Sequence, residues 1–201
     1  MKYILLHGLG QTADDWKDTV QAIDTDSEIL CPNLSEWVFD KEVCYDSLYE
    51  RVKRYCNQFD EPLLLCGLSL GGILALQYAI EHSEKVVSLI LIGIQYVMPK
   101  RVLKIQNICF RFMPKAMFQK MGFQKEDFIS LCKSMMQLDF QKDLEKVKCP
   151  VTVVCGEKDK VNKNAAIQLS KLLKNAKLII ISDAGHEVNV DNPIALGRCF
   201  G

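Results

Sequence analysis

The segment LCGLSLGG at residues 65–72 places a serine, Ser69, among three glycines. Glycine is a poor residue for the interior of a strand or a helix, so this spacing indicates a sharp, uncrowded turn. Gly67 and Gly71 lie two residues before and two residues after Ser69, where the backbones of a strand and a helix come close together. We therefore predict that Ser69 is a nucleophile on a strained turn, and its hydroxyl needs a general base to react.

This G-x-S-x-G segment resembles the nucleophile elbow of the α/β-hydrolase superfamily, in which an acid and then a histidine follow the serine along the chain. The segment VVCGEKDKV (153–161) is similar to the family's acid loop, and the matching residue is Asp159. The segment DAGHEVNVDNP (183–193) is similar to its histidine loop, and the matching residue is His186. The resemblance implies that His186 acts as general base and that Asp159 orients and stabilises its imidazole.

The segment LLHGLGQTADDW (5–16) resembles the family's H-G-x-G…W segment. The resemblance implies an oxyanion hole made of two backbone N–H groups, those of Leu9 and Leu70. Two other residues of this segment have structural interpretations. We expect His7 to fix its loop through hydrogen bonds and Trp16 to pack in the core.

The resemblance covers nearly the whole chain, with two departures. The family usually has two further strands before the H-G segment, so we expect a six-stranded sheet that lacks them. The family often has a proline a few residues after the acid, where this sequence has Val161 and Asn162. Glu157 and Asp183 are nearby acids that offer an alternative to Asp159.

Short apolar runs alternate with helical patterns along the chain. The runs are near-continuous, which is typical of strands buried on both faces of a parallel sheet. Their alternation with helices predicts a doubly wound, mostly parallel α/β sheet, whose ligands bind beyond the carboxyl ends of the strands. The predicted strands are residues 3–6, 28–31, 62–67, 86–93, 150–156 and 176–182, and the predicted helices are residues 14–23, 41–59, 71–82, about 162–174 and a short one from Pro193.

Residues 95–146, called the cap segment below, lie where the resembling family inserts a helical cap over its active site. The segment holds six of the seven methionines, and Pro99 and Pro114 divide it into short helices. Methionine adapts its shape, so the segment suits a flexible apolar ligand, but the same residues also suit plain packing on the sheet. Residues 95–125 carry seven Lys or Arg and no acid, which fits an anionic substrate, an anionic membrane surface or a solvated face.

Length and composition exclude several classes of protein. The 201 residues, 49% of them hydrophobic, fit one domain (1–201) that includes the cap segment. A formal net charge of zero predicts no nucleic-acid partner. The nine cysteines have no metal-site spacing, so we expect reduced thiols in a cytoplasmic protein, with no metal and no cofactor. The longest apolar run is about half of a membrane span, so we expect no stable membrane insertion.

These residues predict a serine hydrolase that cleaves a small carboxylic ester or thioester through an acyl-enzyme. The same triad also serves carbon–carbon bond hydrolases, lyases and acyltransferases, which leaves such an activity on an anionic substrate as an alternative. A non-catalytic binding protein of the same fold is a third hypothesis. It is disfavoured because such relatives usually lose the nucleophile or the histidine, and this sequence retains both.

Overall fold

The structure, a computed structural model, describes residues 1–37, 43–118 and 121–201, and its centre is a six-stranded sheet. The strand order is β2–β1–β3–β4–β5–β6, and all neighbouring strands are parallel. The predicted parallel sheet of six strands is therefore confirmed. The strands are β1 Lys2–Leu6, β2 Glu28–Leu30, β3 Leu63–Leu68, β4 Val86–Ile92, β5 Val151–Gly156 and β6 Ala176–Ile181.

Helices follow the strands in the alternating order that the sequence predicts, with differences at three places. The predicted helix 14–23 begins as a 3-10 turn, Ala13–Trp16. The predicted helix 41–59 begins only at Tyr45, because Cys44 has an extended backbone; residues 41 and 42 lie outside the described residues. The α-helices are α1 Lys17–Ala22, α2 Tyr45–Asn57, α3 Leu70–Glu81, α4 Lys100–Phe112, α5 Lys125–Met135, α6 Lys163–Leu172, α7 Val188–Asp191 and α8 Pro193–Gly197.

The third difference is α7, a one-turn helix that the sequence analysis did not predict. It ends at Asp191, and the side chain of the next residue, Asn192, accepts a hydrogen bond from the N–H of Ala195 and so caps the start of α8. An N-cap of this kind satisfies a donor that the new helix leaves free. The short segment after His186 is therefore folded into two helical turns, which hold the histidine loop against the body of the protein.

The sheet is covered by helices on both faces, as a doubly wound fold requires. Leu63 and Leu65 of β3 belong to the core cluster formed with α2, α3, α6 and the cap segment. Leu64, between them, packs on the opposite face in the cluster that contains Trp16 and Leu196. Trp16 is fully buried there, which confirms its expected role in core packing. Successive side chains of a strand point to opposite faces, so each strand contributes to both cores.

The cap segment lies between β4 and β5 and contains α4 and α5. Pro99 precedes the first residue of α4 and Pro114 follows its end, so the two prolines bound this helix as expected. The ring of Phe110 on α4 lies 5.2 Å from that of Phe128 on α5, and the ring of Phe118, between the two helices, lies 4.8 Å from that of Phe128. The segment thus has a small core of its own beside the carboxyl end of the sheet.

The cysteines are free, and they differ in exposure. Cys109 of α4 is exposed, whereas the other eight are buried or half-buried. Within the described part of the chain, no helix is long and apolar enough to cross a membrane. Over the same residues, no group of three or more His, Cys, Asp or Glu side chains is arranged to hold a metal ion.

Candidate active site

Ser69 occupies the turn between the end of β3 and the first residue of α3, as predicted. Its backbone has φ 51° and ψ −115°, a left-handed conformation that side chains other than glycine rarely adopt. The turn is held in place because the N–H of Ser69 donates a hydrogen bond of 2.9 Å to the carbonyl of Ile92. A residue with positive φ at the turn from a strand into a helix is the backbone geometry of a nucleophile elbow.

The glycines around Ser69 are required by close backbone approach. A Cβ atom on Gly71 would collide with the carbonyl group of Leu6 and would lie 2.7 Å from the carbonyl oxygen of His7. A Cβ atom on Gly67 would collide with the backbone of Gly71. Helix α3 therefore starts directly against strands β1 and β3, which only residues without a side chain permit.

His186 and Asp159 come together from loops that follow β6 and β5. The Nδ1 atom of His186 lies 2.8 Å from Oδ2 of Asp159, and Asp159 is only 6% exposed. The two alternative acids point elsewhere. Glu157 accepts a hydrogen bond from the N–H of Asp183, and the carboxylate of Asp183 pairs with Lys158. Of the three acids considered, Asp159 is therefore the one that contacts the histidine.

Asn162 supports Asp159 from the start of α6. Its N–H donates to Oδ1 of Asp159 at 3.1 Å, and its Nδ2 donates to Oδ2 at 2.8 Å. Burial of Asp159 disfavours the charged form, but hydrogen bonds from His186 and Asn162 outweigh that effect and lower its pKa below the ordinary value. Gln95 of the cap segment in turn donates to Oδ1 of Asn162 at 2.9 Å. The carboxylate is thus held charged and in a fixed orientation.

The loop that carries Leu9 is ordered by its neighbours. As expected, His7 fixes this loop, because its Nε2 accepts a hydrogen bond of 2.9 Å from the N–H of Leu34. The N–H of Gly8 donates to Oε1 of Gln11. In the part of the chain that the structure describes, the N–H groups of Leu9 and Leu70 donate no hydrogen bond. Both remain available to an oxyanion.

A cavity of about 450 Å³ lies over the Ser69 turn, and neither Leu9 nor Leu70 is among the described residues that line it. Ser69, Asp159 and His186 all contribute to its wall, although no hydrogen bond joins the Ser69 hydroxyl to His186 among the described residues. Catalytic hydrogen bonds are often long in unliganded enzymes and tighten when substrate binds. The rest of the wall is mainly apolar and comes from α3 and the cap segment, namely Ile73, Met98, Val102, Leu103, Ile105 and Met135.

Comparison with known proteins agrees with this geometry. A sequence model of the alpha/beta hydrolase family matches residues 3–196. This chain belongs to the alpha/beta hydrolase family. It is similar to monoacylglycerol lipase ABHD6 of Bos taurus, with 22% identity over 240 residues, 94% of this chain and 71% of that protein. It is also similar to a pimeloyl-[acyl-carrier protein] methyl ester esterase of Edwardsiella ictaluri, with 32% identity over 90 residues, 45% of this chain and 35% of that protein.

Solved structures share the fold of this α/β hydrolase. A hydrolase from Pseudomonas aeruginosa superposes with a TM-score of 0.83 at 16% sequence identity, over 98% of this chain and 87% of that one. An esterase from Thermogutta terrifontis superposes with a TM-score of 0.79 at 18% identity, over 99% of this chain and 87% of that one. These superpositions show the fold, and the family match with the lipase and esterase relatives identifies the protein as a hydrolase of the α/β type.

Two features of this α/β hydrolase site were missed by the sequence analysis. Gly93, directly after β4, has φ +57°, and a Cβ atom there would lie 3.0 Å from the ring of His186. Buried Gln11 and Asn189 join the loop that carries Leu9 to α7 through a hydrogen bond of 3.1 Å. A glycine at the last position of the predicted strand 86–93 is a signal for Gly93. The pairing of Gln11 with Asn189 has no local signal.

Proposed function

We propose that this chain is a carboxylic-ester hydrolase with the catalytic triad Ser69, His186 and Asp159. The observation that carries the proposal is that a strained serine and a histidine–carboxylate pair line the same cavity. The esterase and lipase relatives support the same reaction class. A binding protein would need none of this arrangement, so the catalytic hypothesis is favoured over the non-catalytic one.

In the proposed mechanism, His186 accepts the proton of the Ser69 hydroxyl while Oγ attacks the carbonyl carbon of the ester. The N–H groups of Leu9 and Leu70 stabilise the oxyanion of the tetrahedral intermediate. Protonated His186 then gives its proton to the leaving alcohol or thiol, and the bond to that group breaks. A water molecule, deprotonated by His186, releases the acyl group from Ser69 and restores the enzyme. Asp159 keeps the imidazole oriented and stabilises its charged form.

The substrate we propose is an ester or thioester with an apolar acyl group. We propose that the cap segment, residues 95–146 within a single domain of residues 1–201, covers the site and supplies most of the apolar wall. No Lys or Arg belongs to the cavity wall among the described residues, which disfavours an anionic carboxylate inside the cavity. The free cysteines fit a reducing compartment, so we propose a cytoplasmic location.

The proposal is tested by hydrolysis of p-nitrophenyl esters from acetate to decanoate. We expect the wild type to turn over these esters, and Ser69→Ala to reduce kcat by about 10⁴-fold or more, because the covalent step is lost. Ser83→Ala, in the half-buried turn after α3 and outside the cavity wall, is the matched control and should keep wild-type activity. Equal turnover by Ser69→Ala and the wild type would refute the assignment. Labelling of the wild type by a fluorophosphonate without ester turnover would retain the nucleophile but change the substrate class.

A further inference from the structure

Helix α4 of the cap segment carries apolar side chains that no part of the described protein covers. Val102, Ile105, Ile108 and Phe112 are all exposed, with Phe112 at 85% and Ile105 at 64%. We call these four residues the outer stripe. Single exposed apolar residues are common on protein surfaces, but a contiguous row along one helix marks an interaction site.

Most of the outer stripe lies opposite the packed face of α4, and Val102 lies at the edge of the stripe that borders the cavity. The helix packs inward through Leu103, Asn107 and half-buried Phe110, which are three or four residues apart and so share one face. Residues Ile105, Ile108 and Phe112 fall on the opposite face at the same helical period. A soluble helix places polar residues there. Helix α4 therefore presents large apolar side chains to solvent as well as to the protein.

Basic residues border the outer stripe. Lys100, Arg101, Lys104 and Arg111 are exposed on α4, and residues 95–125 contain no Asp or Glu. Glu126, the first acid after this stretch, is paired with Lys115 at 2.7 Å. A helix with apolar side chains toward its surroundings and cations at the border is the pattern that binds at the surface of an anionic bilayer. This charge distribution favours a lipid surface over a second apolar protein face.

The outer stripe is continuous with the cavity. Val102 and Ile105 line the cavity that reaches Ser69, and they are also members of the stripe. At about 1.5 Å per residue, the stripe extends about 15 Å from Val102 to Phe112. A surface in contact with the stripe would therefore also meet the mouth of the cavity.

From these four observations we infer that α4 docks this protein on the surface of an anionic lipid bilayer without spanning it. The outer stripe enters the headgroup region, and the basic border contacts the anionic headgroups. Docking in this position opens the cavity toward esters held in the lipid, so their acyl chains reach Ser69 without passing through water. The delivery of substrate rests on the proposed function, whereas the docking itself does not.

The test is flotation of the full-length Ser69→Ala protein with lipid vesicles, because this variant cannot alter the lipid by hydrolysis. Vesicles of phosphatidylcholine with phosphatidylglycerol are compared with vesicles of phosphatidylcholine alone. We expect partitioning onto the anionic vesicles to be at least about tenfold stronger, and to weaken as salt concentration rises.

Two variants of α4 and one control separate the contributions. Ile108→Ser with Phe112→Ser removes the half of the stripe that does not line the cavity, and should lower partitioning by about tenfold or more. Arg101→Gln with Lys104→Gln should lower it by a similar factor at low salt. The matched control is Ile194→Ser on α8, since Ile194 is 63% exposed and lies outside the cap segment.

Three results would overturn the inference. The first is no flotation of the Ser69→Ala protein with anionic vesicles. The second is equal flotation of the protein with and without the stripe substitutions. The third is a lipid-free dimer, seen by sedimentation velocity, that the stripe substitutions convert to a monomer, because the stripe would then be covered by a second copy.

Hydrolysis of a soluble short ester distinguishes this inference from the proposed function. An otherwise wild-type protein with the Ile108 and Phe112 substitutions should hydrolyse p-nitrophenyl acetate at the wild-type rate, since neither residue lines the cavity. Retained turnover with lost flotation supports the docking inference. Absent turnover in the wild type contradicts the proposed function, and the flotation result is then judged separately.

Discussion

The turn around Ser69 and the helix α4 lie on either side of one cavity, but they are held in different ways. Around Ser69, backbones touch directly, and the positions of Gly67 and Gly71 admit no side chain. Helix α4 is attached by one narrow face, and most of its residues are exposed. The serine proposed as nucleophile is therefore fixed by the backbone of the sheet, whereas the wall proposed to select the substrate is fixed by replaceable side chains.

The substitution Gly71→Ala is expected to have the largest effect, because it tests whether the backbone around Ser69 admits a side chain. The added methyl group meets the carbonyl groups of Leu6 and His7, which cannot move without displacing β1. We expect the free energy of unfolding to fall by about 3–5 kcal/mol, measured by urea denaturation. The control is Gly8→Ala, where the nearest atom is a side-chain carbon of Leu68 at 3.4 Å. Equal stability of the two variants would show that the turn tolerates a side chain.

A smaller effect is expected when the support of Asp159 is removed. Asn162→Ala deletes the side-chain hydrogen bond to a charged group, and we expect kcat/KM for esters to fall about 10- to 100-fold. Asn175→Ala provides the control, because its side chain bonds only the exposed carbonyl of Lys148. Loss confined to KM would instead assign Asn162 to substrate binding, since it also lines the cavity.

The pH dependence of stability gives an independent view of the same contact. The folded-state pKa of Asp159 is lowered, so its hydrogen bonds stabilise the fold above the ordinary carboxyl pKa of about 3.9 and lose this effect as pH falls through the lower value. The wild type should therefore exceed Asn162→Ala in unfolding free energy at about pH 6 by more than at about pH 3. A difference that does not change with pH would mean that Asn162 acts through packing alone.

The smallest effect is expected in the wall of the cavity. Met98→Ala enlarges the cavity beside the cap segment, and it should shift the preferred acyl chain to a longer ester by a few-fold change in kcat/KM. The rate with p-nitrophenyl acetate should hardly change, because the Ser69 turn is untouched. Met117→Ala is the control, since Met117 is exposed and does not line the cavity. A large loss of activity on every ester would contradict the view that the cavity wall selects the substrate without affecting the reaction at Ser69.

The parts of the site that sequence predicts well are those set by local constraints. The glycines around Ser69 and the loops of Asp159 and His186 each follow an apolar strand, and parallel strands bring their carboxyl ends to one edge. Most of the sheet, and the contact between the histidine and an acid, could therefore be predicted from the sequence.

Contacts between segments that are distant along the chain could not be predicted from the sequence. Gln11 bonds Asn189 across 178 positions of the chain, and Asn162 was noted only as a departure from the family's pattern. The prolines predicted short helices in the cap segment, but nothing in the sequence predicted which face of α4 turns toward the protein. That choice depends on packing with α5, through rings such as Phe110 and Phe128.

The uneven exposure of the cysteines gives this protein a built-in attachment point for a spectroscopic reporter. Burial raises the pKa of Cys31 to about 11 and that of Cys56 to about 12, so these thiols form little of the reactive thiolate. Cys109 is exposed on α4, beside the outer stripe. A maleimide fluorophore should therefore label α4 first in the native protein, and its emission would report the polarity around that helix without any engineered cysteine.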